Sequence, residues 1–120
     1  DSGTLADNTA LYFVTNHGAG NDVRVKLPIT VAADRSYRLG ITIDAQRRVS
    51  AFVDGVQYSL SSGNTTAGEV NSAGVGTLKS APLTNDIDML PIVGIQQQAG
   101  NGRNLLVSYI KCSRVAFENA

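Results

Sequence analysis

The sequence has 120 residues, with ten basic and ten acidic side chains and one cysteine. This length suits one domain that can build its own hydrophobic core. Because the charges balance, the chain lacks the strong positive field that would attract nucleic acids or anionic membranes. No apolar run approaches the ~20 residues of a membrane span. One cysteine excludes an internal disulfide. We therefore expect no nucleic-acid partner and no membrane partner.

The N-terminal part predicts a lead-in followed by two strands. Asp1–Asn8 is small and polar, which favours an extended lead-in. Thr9–Val14 is apolar on both faces and predicts a central strand, whereas Thr15–Asn21 is rich in turn residues. Val23–Leu27 alternates apolar with basic residues and predicts a strand with one solvated face. Pro28 has no backbone N–H, so we expect it to limit the ladder of this strand.

The clearest pattern lies in residues 37–58, which predict a meander of three strands. Tyr37–Asp44 alternates apolar and polar residues with a period of two, and after a polar turn Arg48–Val53 alternates again. Asp54-Gly55 is a hairpin signal that needs a positive φ, and it leads into Val56–Tyr58. The residues expected to face the core are Leu39, Ile41, Ile43, Val49, Ala51 and Val53.

The remainder of the chain is less regular. Ser59–Gly76 is small, polar and aperiodic, and we expect a long loop that is functional or mobile. Thr77–Leu83 predicts a short strand or an arm. Met89–Gln98 predicts a buried strand, and Asn104–Phe117 predicts a long last strand whose alternation slips midway, as at a bulge.

The pattern as a whole predicts an all-β fold. No segment has a sustained apolar period of about 3.6 residues, so we expect almost no helix. About seven or eight strands at this spacing are typical of an antiparallel β-sandwich or jelly roll. We expect one such domain over residues 9–118, after a lead-in of residues 1–8.

The central motifs resemble a known family. The segments "YRLGITID" and "VSAFVDGV" are followed by a long loop, then by "DMLPIVGIQQQ" and "LLVSYIKCSRV". Their order and spacing resemble the concanavalin A-like (laminin-G-like) jelly roll, in the form found in tailed-phage virion proteins. The resemblance covers residues 9–117. It implies the fold but does not determine the function, because this fold is shared by lectins, glycosidases and structural modules. Domains of this family carry more strands before the equivalent of Leu11. The resemblance therefore implies that the first strands of the domain lie upstream of this sequence or come from a neighbouring subunit.

An enzyme is not expected. Glycosidases of this fold place two carboxylates on one strand, as acid and nucleophile. Asp86 and Asp88 have this spacing but flank a predicted turn, and turn formation is the favoured interpretation for them. Asp44 and Asp54 also lie at predicted strand ends and have the same interpretation. The glutamates of the chain are Glu69, in the predicted loop, and Glu118, at the tail.

Metal and cofactor sites are not expected either. His17 is the one histidine of the sequence, and no cysteine lies near it to complete a zinc site. Cys112 lies in a predicted strand and is expected to be a small buried hydrophobe. A lectin-like site would place a polar loop beside an aromatic platform, and the sequence has no tryptophan. The candidate ligand-loop residues are Asn16, His17, Asn85, Asp86 and Asp88.

Two groups of residues are candidates for a protein interface. Basic side chains fall on predicted outward faces and would suit an acidic partner, although a solvated face balanced by nearby acids is the favoured interpretation. Apolar side chains also point away from the predicted core, and they either mark an interface or lie under the loop Ser59–Gly76. The basic group is Arg24, Lys26, Arg38, Arg47 and Arg48, and the apolar group is Tyr12, Val14 and Phe52.

The resemblance implies a non-enzymatic structural module of a phage virion, either a capsid decoration or a component of a tail or fibre. Its partners would be copies of itself or other virion proteins, and it would be assembled in the host cytoplasm. A carbohydrate-binding, lectin-like adhesion module with surface glycans as partners is the alternative, and a glycosidase is the third. We also expect a homo-oligomer or a shell component, because first strands that are missing would leave a sheet edge that a neighbour must cover.

Overall fold

The structure is a computed structural model and is all-β, with no helix in the residues that it describes. The described residues are 7, 9–16, 22–60, 68–84, 90–94 and 105–114. The strands assigned in them are β1 (Ala10–Asn16), β2 (Asp22–Thr30), β3 (Leu39–Ile43), β4 (Val49–Val53), β5 (Val56–Tyr58) and β6 (Gly68–Asn71). The chain divides into two compact units, residues 1–85 and 86–120, and all of these strands lie in the first. The expectation of one domain over residues 9–118 stays a prediction.

Strands β3, β4 and β5 form an antiparallel sheet in that order, which confirms the predicted meander. The ladder between β3 and β4 has no register shift, and Ile41 pairs with Ala51. Asp54 and Gly55 form the turn between β4 and β5, with φ values of 52° and 83°. Two successive positive φ values give a two-residue turn the twist of its flanking strands, which explains the Asp-Gly pair at this point.

The second sheet has the strand order β1-β2-β6. Because β2 pairs with β1 on one side and, in parallel, with β6 on the other, β2 is the central strand. The predicted central position of Thr9–Val14 is therefore wrong. β6 lies inside Ser59–Gly76, where the sequence predicts a loop. Its Val70 lies beside Val25 and packs against the core, so one apolar side chain anchors a strand in an otherwise polar segment.

The pairing of β1 with β2 is irregular near Pro28. Tyr12 pairs with Lys26 but Ala10 pairs with Thr30, so a two-residue step in β1 is opposed by a four-residue step in β2. Pro28 lies within the longer step, where its missing N–H interrupts the ladder. Pairing then resumes, so the strand continues past the proline instead of ending at it.

The inner faces of the two sheets share one hydrophobic core. The predicted inward positions of β4 are confirmed, since Val49, Ala51 and Val53 are all buried. Leu60, just after β5, is the most enclosed side chain of the core at 1% exposure. Two three-stranded sheets around a common core give this unit a sandwich-like character. The buried members of the core are Val23, Val25, Leu27, Ala51, Val53 and Leu60.

The predicted burial of the β3 side chains is wrong. Leu39, Ile41 and Ile43 are 60%, 63% and 44% exposed. The register has not slipped, because these residues are paired with the buried residues of β4 and so share their face of the sheet. The cause is the position of β3, which lies at the edge of its sheet. The core packs under β4, and the inward face of β3 extends beyond it.

The segments after residue 84 also differ from expectation. Residues 90–94 and 105–114 form no strand, and every side chain in them is exposed. The predicted buried strand Met89–Gln98 and the long strand Asn104–Phe117 are therefore wrong over these residues. Cys112 is exposed as well, contrary to its predicted burial. An apolar pattern indicates that burial of the side chains would be favourable. It does not supply the neighbouring strand with which the backbone of a strand must form hydrogen bonds.

Leu60→Ala and Ile41→Ala should distinguish a buried core position from an exposed position of β3. Leu60→Ala leaves a cavity in the core and should lower the free energy of unfolding by about 2–5 kcal/mol. Ile41→Ala truncates an exposed side chain and should change it by no more than about 0.5 kcal/mol. Equilibrium urea unfolding at low protein concentration measures both. Equal losses in the two variants would show that β3 packs on the core after all.

Candidate functional site

Four of the interface candidates lie on the outer face of the sheet β1-β2-β6. Tyr12 pairs with Lys26, and Val14 pairs with Arg24, so all four side chains project from the face opposite to the core. Glu69 of β6 lies beside Arg24. The structure therefore brings the two apolar candidates of β1, Tyr12 and Val14, together with the two basic candidates of β2.

This outer face is held by a network around Asp7. The Asp7 carboxylate is 2.7 Å from Lys26 Nζ and also accepts hydrogen bonds from the backbone N–H and the hydroxyl of Thr9. The Asp7 N–H donates to Tyr12 Oη at 3.2 Å, and Tyr12 Oη donates to Glu69 Oε2 at 3.5 Å. The Lys26 hydrogen bond, with those of Thr9, holds the pKa of Asp7 well below its ordinary value, and Asp7 raises the pKa of Lys26. The basic face is thus balanced by acids of its own chain.

The other interface candidates lie on the outer face of the sheet β3-β4-β5. Phe52 is half-buried, and a Cβ placed on Gly40 of the neighbouring strand would lie 3.4 Å from Phe52 Cβ. The ring therefore covers the glycine, which leaves room for it. Arg38 and Arg48 flank this position, and Arg38 is the more exposed. The apolar candidates are split between two sheets and do not form one surface.

Asp44 organises the turn between β3 and β4. Its Oδ1 accepts hydrogen bonds from the N–H groups of Gln46 at 3.0 Å and Arg48 at 2.9 Å, and its carbonyl accepts one from Arg47 N–H at 2.9 Å. Arg47 has a φ of 61°, as a three-residue hairpin loop requires at its last position. Lys79 Nζ lies 2.7 Å from Oδ2. The Lys79 contact, supported by the Arg48 N–H, lowers the pKa of Asp44.

Asp54 holds the second turn and borders a cleft. Its Oδ1 accepts a hydrogen bond from Arg38 N–H at 2.8 Å, and Arg35 lies 3.4 Å from its Oδ2. The Arg35 guanidinium also lies over the ring of Tyr37, 4.8 Å from its centre. The cleft is open, with a volume of about 380 Å³. Its lining residues are Pro28, Ile29, Thr30, Arg35, Tyr37, Val53, Asp54, Val56 and Tyr58.

The open edge of β3 combines exposed apolar side chains with backbone groups that face outward. Asp54 N–H bonds to the carbonyl of Arg38, and Asp44 N–H bonds to the carbonyl of Arg48. Because hydrogen-bonded pairs alternate along an antiparallel ladder, the even-numbered residues of β3 bond to β4. Leu39, Ile41 and Ile43 therefore point their N–H and C=O groups away from β4. We call these three residues the β3 edge.

The predicted ligand-loop residues fall almost entirely outside the part of the chain that is described. Asn16 ends β1, but its side chain, His17, Asn85, Asp86 and Asp88 lie outside the described residues, so their roles stay predictions. Within the described residues no group of three or more His, Cys, Asp or Glu side chains could hold a metal ion. In the same residues no helix is long and apolar enough to cross a membrane.

Sequence reasoning missed the partners of the charged residues. Asp7 was expected in a loose lead-in, yet it bonds to Lys26, and the Asp-x-Thr spacing with Thr9 is the local signal of its turn. Lys79 and Arg35 pair with Asp44 and Asp54 across 35 and 19 positions of the sequence. No local pattern predicts pairs over such separations. The turn-forming roles predicted for Asp44 and Asp54 agree with their hydrogen bonds.

Comparison with known proteins found no matching family model, no matching curated protein and no matching solved structure. The resemblance of the motifs to the concanavalin A-like jelly roll therefore stays a prediction.

Acidification should destabilise the protein through Asp44. Its pKa is lowered in the folded chain from the ordinary value of 3.8. The stabilisation by the carboxylate is thus fully present above the unfolded-state pKa and is lost as the pH falls through the folded-state pKa. Asp44→Asn keeps an oxygen for the turn but removes the charge, so it should be less stable than wild type at neutral pH. The two proteins should converge in urea unfolding at low pH.

Asp34→Asn provides the control for this experiment, because Asp34 is exposed and has a φ of 57°, which asparagine tolerates. Its acid profile should follow that of wild type. A constant difference between Asp44→Asn and wild type at every pH would contradict a role for the Asp44 charge.

Proposed function

We propose that this chain is a non-enzymatic structural module, with a jelly-roll sandwich, that works in a phage virion through protein–protein contacts. The observation that carries the proposal is the amount of large apolar side chain left exposed. In the first unit it includes the β3 edge, and in the second unit, taken by itself, Leu90, Ile92, Leu106 and Ile110 are all exposed. Large apolar side chains left exposed in this number are typical of interaction sites on folded proteins.

The contact would gain its free energy from removing this apolar surface from water. The sheet supports the β3 edge, because β3 is hydrogen-bonded to β4 and the inward side chains of β4 are buried in the core. A partner that packs on the β3 edge therefore meets a surface that needs little reordering, which keeps the entropic cost of association low.

Three of the described carboxylates support a non-enzymatic role. Asp7, Asp44 and Asp54 each accept hydrogen bonds from backbone N–H groups and each contact a cation of the same chain. A carboxyl that serves as a general acid requires a raised pKa. The pKa values of Asp7 and Asp44 are instead lowered. These groups stabilise turns and an outer sheet face, so they favour a structural role over acid catalysis.

The proposal predicts that the protein is a stoichiometric component of a particle. Virions produced from the genome that carries the gene should contain the chain in a fixed ratio to the major shell protein, measured by quantitative mass spectrometry after purification on a density gradient. The control is a lysate of cells infected with a strain that lacks the gene, to which the tagged chain is added before purification. Any tagged chain found in those particles measures non-specific adsorption. Purified particles that lack the chain, or carry it at a ratio that varies between preparations, would contradict a virion role.

The cleft beside Tyr37 favours a second candidate function, carbohydrate binding. Two half-buried tyrosines, Tyr37 and Tyr58, share this cleft with the charged groups of Arg35 and Asp54. Saccharides bind through aromatic faces together with charged or polar groups that fix their hydroxyls. Arg35 already covers the Tyr37 ring, however, and Asp54 is engaged in its turn. The structural proposal therefore accounts for more of the surface.

The structural proposal predicts no saturable glycan binding on an array probed at micromolar protein. If a glycan does bind, Arg35→Ala should weaken it at least about 10-fold. Arg114→Ala, which removes an exposed arginine of the second unit, serves as the control. Binding that is lost in Arg35→Ala and kept in Arg114→Ala would favour the adhesion module over the structural one.

A further inference from the structure

The β3 edge lacks the features that normally protect an edge strand. Edge strands are blunted by prolines, lysines, bulges or covering loops. β3 has the sequence LGITI, with no charged residue and no proline. Its pairing with β4 has no register shift, in contrast to that of β1 with β2. The edge is thus regular and apolar, which is the form that accepts another strand.

The other edge of the same sheet is occupied. Beyond β5, Gly76 N–H donates to the carbonyl of Gln57, and Ser59 N–H donates to the carbonyl of Gly74. Tyr58 and Val75 form a bridge at this point. Among the described residues, no backbone hydrogen bond reaches the outward groups of the β3 edge. In this sheet, β3 is therefore the edge at which a strand can be added.

We propose that β3 pairs antiparallel with β3 of a second copy of the chain, across a two-fold axis at Ile41. The two three-stranded sheets would then form one continuous six-stranded sheet. This inference rests on the proposed function, because it names a partner and a surface for the protein–protein contacts of the structural module.

The backbone of the β3 edge is self-complementary in this register. With the axis at Ile41, that residue faces its own symmetry mate, and Leu39 faces Ile43 of the second copy. All three outward-facing residues of each strand then form hydrogen-bonded pairs, which satisfies every outward N–H and C=O group. A shift of either strand by two residues would leave one of these residues opposite a position outside the strand.

The side chains favour the same register. Directly opposed residues of an antiparallel pair project from the same face, so the Leu39, Ile41 and Ile43 side chains of both copies would form one continuous apolar stripe. At each end of the pair, Arg38 would oppose Asp44 of the second copy. Asp44 is already bound to Lys79, so this charge pair adds little affinity, but it distinguishes the register from the shifted ones.

The first test is the oligomeric state of the full 120-residue chain in sedimentation equilibrium. Wild type should be a dimer at micromolar concentration. Ile41→Lys places two ammonium groups at the axis and should raise the dissociation constant at least about 100-fold. Val75→Lys is the matched control, because Val75 is as exposed as Ile41, at 70% against 63%, but lies off the β3 edge. It should dimerise like wild type.

The second test is disulfide cross-linking, in a Cys112→Ser background that removes the exposed thiol of the chain. Hydrogen-bonded antiparallel pairs have Cα atoms about 5.5 Å apart, within the range that a disulfide bridges. Ile41→Cys should therefore cross-link to itself. Leu39→Cys and Ile43→Cys should cross-link poorly alone but efficiently when mixed, because each faces the other position across the axis.

The outcomes separate this inference from the proposed function. A monomeric wild type, or an assembly that Ile41→Lys leaves intact, would overturn the β3 pairing. It would not bear on the proposed virion role, which is tested separately by the ratio of the chain to the shell protein in purified particles. Cross-links of Leu39→Cys to itself would also overturn it, because they require a different register. Circular dichroism of each variant confirms that loss of the dimer is not loss of the fold.

Discussion

The structure depends on β4, in which every residue except the half-buried Phe52 is buried and which is hydrogen-bonded along both edges. Its Val49, Ala51 and Val53 side chains form the floor of the core, with β3 on one side and β5 on the other. Where β5 ends, Ser80 takes its place: Ser80 N–H donates to the carbonyl of Val49, and Val49 N–H donates to Ser80 Oγ. The chain after β6 thus returns to complete the pairing of β4.

The alternation of residues 37–58 was sufficient to predict the meander, because strand pairing through short turns is local. The turn at Asp44 is held by backbone N–H groups within four positions of it, and the turn at Asp54 follows from the adjacent Asp-Gly pair. The same alternation predicted the face to which Ile41 belongs but not its burial, since burial depends on what packs opposite an edge strand. β6 was missed because a single apolar residue, Val70, gives no periodicity, and its parallel partner β2 lies more than forty positions earlier.

The candidate site was less predictable than the fold for a related reason. The residue types on the outer faces were predicted from alternation, and Tyr12, Val14, Arg24 and Lys26 do lie together. Their environment depends on Asp7, whose bond to Lys26 joins the lead-in to a strand 19 positions away. Ion pairs of this kind follow from tertiary proximity, which a single sequence does not encode locally. The sequence alone therefore predicts that acids balance the basic side chains, but it does not predict that Asp7 is the acid that pairs with Lys26.

The neutral surface also limits how this protein can recognise a partner. With a formal net charge of zero and several cations paired within the chain, long-range electrostatic attraction contributes little, and recognition depends on shape, apolar area and backbone hydrogen bonds. An edge strand offers all three, but it also invites uncontrolled growth of a sheet. Because the β5 side of this sheet is closed by residues 74–76, a two-fold pairing at β3 would consume the open edge of both copies. Such an isologous contact closes on itself, so the sheet would stop at six strands instead of extending into a fibre.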